Sequence, residues 1–193
     1  MTTWTVIRAA GVGAYLALFL TVSWGLIATT SLLSTRIAKS TSVLIHQVLG
    51  SVGLALLAVH LGGLLADRFV RFDVPDLLVP FRVEKLATAV ALGVFALYAC
   101  VLVLLTSWLR KGIGTVWWRR FHLLATPAFV LALMHGMLAG TDSARPWLWW
   151  TYLGTALVVV FLLLMRALTD ARPSPRARNQ AEPRPRSGAA VRP

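Results

Sequence analysis

Cysteine is almost missing from this chain: Cys100 is the only one. A single thiol excludes an intrachain disulfide, and there is no C-x-x-C-H motif for covalent attachment of a prosthetic group. Charge is scarce as well, at 13% of 193 residues, with seven acids against 19 Lys and Arg. No G-x-G-x-x-G follows a strand-like run, so nothing points to a nucleotide-binding domain. The net charge of +12 would suit nucleic acid, but the bases fall between apolar segments and in a C-terminal stretch. Membrane topology explains that distribution, and nucleic acid is set aside as a partner.

What the chain has in quantity is apolar residues, 58% of the total, and a mean hydropathy of +0.73. Runs long enough to cross a bilayer, about 20 residues each, lie at 9–31, 43–66, 86–109, 119–140 and 146–168. The expectation is an all-α, polytopic helical bundle of five transmembrane helices. The first run is too long for a signal peptide and is followed by no A-x-A-like site, so it reads as retained. The chain divides into residues 1–42, an N-terminal helix and loop; 43–168, a core; and 169–193, a Pro- and Arg-rich tail. With little to bury, the tail is expected to be disordered and to lie on anionic lipid.

The bases set the orientation. Arg36, Lys39, Arg110, Lys111, Arg119, Arg120 and seven arginines from Arg166 to Arg192 gather on one side, which the positive-inside rule makes cytoplasmic. The N-terminus is then outside and the C-terminus inside a plasma (inner) membrane. The 67–85 loop balances four acids against four bases. It is expected to lie in the outer interface, with Phe69, Phe72, Leu77, Leu78 and Phe81 at the lipid boundary.

All four histidines fall inside these spans. His46 and His60 are fourteen residues apart, about 21 Å of helix; His122 and His135 are thirteen apart, about 19.5 Å. The second and fourth helices run in the same direction, so His46 meets His122 near the cytoplasmic face and His60 meets His135 near the outer face. Imidazole is costly to bury in lipid, which makes a functional partner the default reading, the alternative for any one histidine being a simple hydrogen bond to a backbone carbonyl or a Ser of a neighbouring helix. Two imidazoles from facing helices supply both axial ligands of a six-coordinate heme iron. Zinc would need four ligands converging on one point.

Rotation fits less well than depth. Fourteen residues return within about 40° of the starting face, but thirteen land about 140° away on an ideal helix. Pro127, between His122 and His135, is expected to kink the fourth helix and re-aim the second ligand. Gly50, Gly53, Gly136 and Gly140 offer either close approach of a flat macrocycle or ordinary helix packing. Arg119 and Arg120 lie within a turn of His122 and are candidates for the heme propionates, as are Arg36 and Lys39 on that side and Arg68, Arg82 and Arg145 at the outer level. Trp117, Trp118, Trp147, Trp149 and Trp150 read as interface-belt residues.

The pattern H-x13-H on one helix and H-x12-H two helices later resembles the ferric reductase-like transmembrane domain shared by ferric reductases and NADPH oxidases. The resemblance covers residues 43–168 and extends to DLLVPF (76–81), ALGVFALY (91–98) and HGMLAGTD (135–142), which look like bacterial single-domain members. It implies a membrane cytochrome b with two b-type hemes and an oxidoreductase role in electron transport toward an extracytoplasmic acceptor. Two departures stand out: there are five helices rather than six, and no flavin or nicotinamide domain. Electrons would then come from a flavoprotein or quinol. A similar core occurs in the heme subunit of the periplasmic methionine-sulfoxide reductase system, which implies an alternative, an electron relay to a periplasmic redox partner. The cytochrome b of quinol-oxidising complexes places fourteen residues between ligands on both helices, unlike this chain. A membrane scaffold or transporter without heme is the third reading.

Overall fold

A computed structural model describes residues 2–29, 37–68 and 71–170. All of its regular structure is helical: α1 (Thr2–Thr29), α2 (Lys39–Ala66), α3 (Val74–Leu78), α4 (Ala87–Trp108), α5 (Arg110–His122), α6 (Ala125–Ala139) and α7 (Pro146–Asp170). Helices α1, α2, α4 and α7 are each long and apolar enough to cross a bilayer. Helices α5 and α6, bent by 41° at their junction, make a fifth span if taken together. The protein is an all-α, multi-pass membrane bundle. Arg36, Phe69 and the tail from 171 on lie outside the described residues, and with them the expectation of a disordered tail.

The helices pack where side chains are small or aromatic, as expected where lipid offers apolar groups no reason to leave it. Gly53 on α2 lies so close to α1 that a Cβ there would sit 3.3 Å from the Ala17 Cβ. On the other flank of α1, Tyr15 stacks on Phe129 of α6 at 5.7 Å and meets Tyr152 of α7 edge-on at 5.1 Å. The Tyr15 hydroxyl is hydrogen-bonded to Thr155, which satisfies both hydroxyls inside the apolar contact. Leu133, Leu148 and Val159 close this core. Outward-facing Val101, Leu157 and Phe161 are exposed, as lipid-facing residues are.

Two sequence expectations are refined. The first helix begins at Thr2 rather than near residue 9, because Arg8 finds partners within the bundle: Asp142 at 3.1 Å and Thr141 at 3.5 Å. The fourth span is two helices. The break lies at Leu123–Leu124, just ahead of Pro127 rather than at it. Pro127 has no N–H to return to the Leu123 carbonyl, and that carbonyl accepts from Thr126 N instead, at 3.3 Å. Proline thus occupies the first turn of α6, where a missing N–H costs little.

The outer loop also has more structure than expected. Asp73 and Asp76 form a reciprocal capping box over α3, and Asp76 pairs with Arg82 at 3.0 Å. Leu78 and Phe81 are exposed, in keeping with a lipid boundary, but Phe72 and Leu77 line the interior cavity instead.

A candidate cofactor cavity lined by four histidines

Helix α2 carries two of the histidines yet buries no residue, and its principal partner is α1. Between α1–α2 and α4–α5–α6 lies a cavity of ≈ 2010 Å³ lined by His46, His60, His122 and His135. Single drug-sized ligands occupy pockets of about 300–1,000 Å³. The space is larger than one such ligand requires.

Three of the histidines are set by one local device. His60 is hydrogen-bonded through Nδ1 to the Ile7 carbonyl at 2.9 Å, and its ring lies over Gly11, where a Cβ would come within 2.9 Å of Cε1 and Nδ1. His135 repeats this on α4, with the Ala89 carbonyl at 2.7 Å and Gly93 beneath the ring, where a Cβ would approach to 2.8 Å. In each case the glycine lies one turn beyond the carbonyl, so its missing side chain leaves the slot that the imidazole fills. His46 takes the same place fourteen residues further along α1, over Gly25 and near the Thr21 carbonyl. Its contact is looser: a Cβ at Gly25 would be 3.4 Å from Cε1, and Nδ1 closes no hydrogen bond of ordinary geometry.

The carbonyls determine the tautomer. A carbonyl oxygen only accepts, so Nδ1 of His60 and of His135 carries the hydrogen, and in the neutral ring Nε2 keeps its lone pair. A metal-ligating histidine is ordinarily held in this way.

The pairing by depth is as the spacing predicts. The rings of His46 and His122 face each other with centroids 5.8 Å apart and planes inclined by 53°. An ion bound by two imidazole nitrogens at about 2 Å each separates the ring centroids by about 6 Å. His60 and His135 share the other end of the cavity, close enough to interact electrostatically. Among the described residues no three His, Cys, Asp or Glu side chains converge on one point. The donor sets are imidazole pairs, which suits a ligand that brings its own equatorial donors.

The cations sort into free and engaged. Lys39, Arg110, Arg119 and Arg120 line the cavity at the His46–His122 end. Arg110 lies over the Trp118 ring at 4.2 Å and Arg120 over Trp117 at 5.0 Å. At the opposite end Arg82 is held by Asp76, while Asp142 holds both Arg8 and Arg145 at 3.1 Å. Arg68 is exposed and is not among the lining residues. The cavity-lining bases there are Arg8, Arg71 and Lys85, and neither Arg71 nor Lys85 has an acidic partner among the described residues. Arg71 also has φ +47°, an unfavourable backbone conformation for a residue with a side chain.

Sequence reasoning placed the four histidines, and of the glycines it named three are engaged in packing or helix termination. A Cβ at Gly136 would come within 2.7 Å of the Tyr152 hydroxyl, and one at Gly140 would strike the Gly136 carbonyl; Gly53 meets Ala17. These serve packing and the end of α6, although Gly50, Gly53, Gly136 and Gly140 also border the cavity. Gly11, Gly25 and Gly93 were missed. A fourteen-residue repeat of glycine on the first helix, matching His46 and His60 on the second, was the available signal. Trp118, read as a belt residue, is half-buried and makes a tilted ring contact with His122. Compared with known proteins, the chain matches no family model, no curated protein and no solved structure.

Proposed function

We propose that this protein is a membrane cytochrome b, with one b-type heme held between His46 and His122 and a second between His60 and His135. Bound there, the hemes supply reversible one-electron transfer at two depths of the bilayer. The observation that carries the reading is the His46–His122 pair, two imidazoles facing across a cavity at the separation that one shared ion requires. The Nδ1 hydrogen bonds of His60 and His135 support it, because they leave Nε2 free to ligate.

The chain's own residues do the rest. Two imidazoles at each site would hold a heme iron from both sides, which would leave substrate no place on the metal. Arg119 and Arg120 at one end, and Arg71 and Lys85 at the other, are the cations available to carboxylates of the macrocycle. Apolar wall residues such as Leu57, Val94, Leu97 and Ala132 exclude water between the two levels. The cluster of Lys39, Arg110, Lys111, Arg119 and Arg120 supports a cytoplasmic orientation of the His46–His122 end in an inner membrane. Electrons enter there from a flavoprotein or quinol and leave to an acceptor outside. The resemblance to the ferric reductase-like domain agrees with this assignment.

The test is the spectrum of the full chain purified in detergent, with heme counted as its pyridine hemochrome. Two non-covalent hemes of b type per chain are expected. A colourless protein expressed in heme-sufficient cells overturns the proposal and returns the chain to the scaffold or transporter class.

A further inference from the structure

His122 is the odd member of the four histidines. It is the last residue of α5, at the break before α6; its buried Nδ1 has no hydrogen-bond partner, as is true of His46, but unlike His46 it also lacks a glycine beneath its ring. Thirteen residues back from His135 on the same bent helical span, it corresponds to a place thirteen residues further along α4 from Ala89 and Gly93. Those positions are Leu102 and Thr106. There the Thr106 hydroxyl donates to the Leu102 carbonyl at 2.7 Å, and a side chain stands where the other sites have glycine. The carbonyl-and-glycine device that holds His135 is therefore not repeated for His122.

Another group touches the ring instead. Trp118, one turn earlier on α5, lies 5.1 Å from His122 with the planes inclined by 36°. Trp118 is itself tethered to α4: its Nε1 donates to Ser107 Oγ at 3.3 Å, and that hydroxyl donates to the Val103 carbonyl at 2.7 Å. The Arg110 guanidinium covers the indole at 4.2 Å. The neighbouring Trp117 is exposed, as an interface anchor would be. Trp118 lines the cavity.

From these contacts we infer that Trp118 is the positioning residue of the cytoplasmic-side site, orienting His122 by a tilted ring contact where His60 and His135 rely on a backbone carbonyl and a glycine and His46 on a glycine alone. The inference rests on the reading of His46 and His122 as a ligand pair. It predicts that the two sites respond differently to loss of one aromatic ring that ligates no metal.

The experiment uses the full chain purified with its hemes, and reads heme stoichiometry together with the low-temperature electron paramagnetic resonance of each site. The sites are assigned by the signals missing from His46→Ala and from His60→Ala. Trp118→Leu is expected to weaken heme retention at the His46 site about 10–100-fold, as loss of other outer-shell partners does, and to shift or abolish that signal alone. Trp118→Phe, which keeps a ring, restores both. Wild-type signals from both sites in Trp118→Leu overturn the inference and leave the cytochrome reading standing, as does equal loss of both sites in Trp118→Leu and Trp118→Phe. A wild-type chain without heme takes both down.

Discussion

Gly11 passes beneath the His60 ring so closely that a single added methyl would lie 2.9 Å from both Cε1 and Nδ1. The same relationship joins Gly93 to His135 at 2.8 Å and, more loosely, Gly25 to His46 at 3.4 Å. The ring cannot yield without leaving the carbonyl that orients it. Gly11→Ala and Gly93→Ala should therefore each weaken heme retention at the His60–His135 site by about 10–100-fold, read as hemochrome per chain. Gly25→Ala should do less to the other site. Gly62→Ala, where a Cβ meets nothing within 4 Å, is the neutral control; equal behaviour of Gly62→Ala and Gly11→Ala would remove the steric argument.

Ligand pairing by depth predicts a pattern among alanine variants. His60→Ala and His135→Ala should each keep one heme and lose the same one, and His46→Ala and His122→Ala should each keep the other. Spectra of the four variants then fall into two matching pairs. Two hemes in any of them, or pairing of His46 with His60, breaks the assignment.

Pro127 holds the α5–α6 break open by leaving the Leu123 carbonyl without its usual donor. Pro127→Ala restores that N–H and should reduce the 41° bend, turning His122 away from His46. Spin labels on α5 and α6 would report a longer separation as the helices straighten, with loss of the signal of the His46–His122 site. An unchanged separation would mean that packing against α4, rather than proline, sets the bend.

The Tyr15–Thr155 hydrogen bond joins α1 to α7 inside the aromatic core and involves none of the histidines. Tyr15→Phe keeps the stacking on Phe129 and removes only the hydroxyl. It should cost about 0.5–1.5 kcal/mol of stability in detergent unfolding, with both hemes retained. By contrast, Asp142→Asn loses two ion pairs whose arginines are substantially exposed, Arg145 at 66%. Solvent screening holds that change to at most about 1 kcal/mol, diminishing further as salt is raised.

The sequence alone determined the membrane class, the approximate positions of the spans and the two depths of histidine. Hydropathy and a rise of 1.5 Å per residue are properties of one helix at a time. It also showed that thirteen residues would misdirect His135 on a straight helix, with Pro127 as the candidate for a kink that corrects it. The position of that break, ahead of the proline, depended on which carbonyl found another donor.

Tertiary structure decided what each helix lends to another. Gly11 and Gly25 are unremarkable within α1; they become slots only because α2 packs antiparallel to α1 in the register that brings His60 over one and His46 over the other. Gly53 and Gly136, equally plausible in the sequence, fell against Ala17 and Tyr152 instead. Whether Trp118 faces lipid or His122 likewise depended on its tether to Ser107 of α4. A small residue or an aromatic ring acquires its role from the neighbour that arrives, and interhelical register is set by many weak contacts at once rather than by a local pattern.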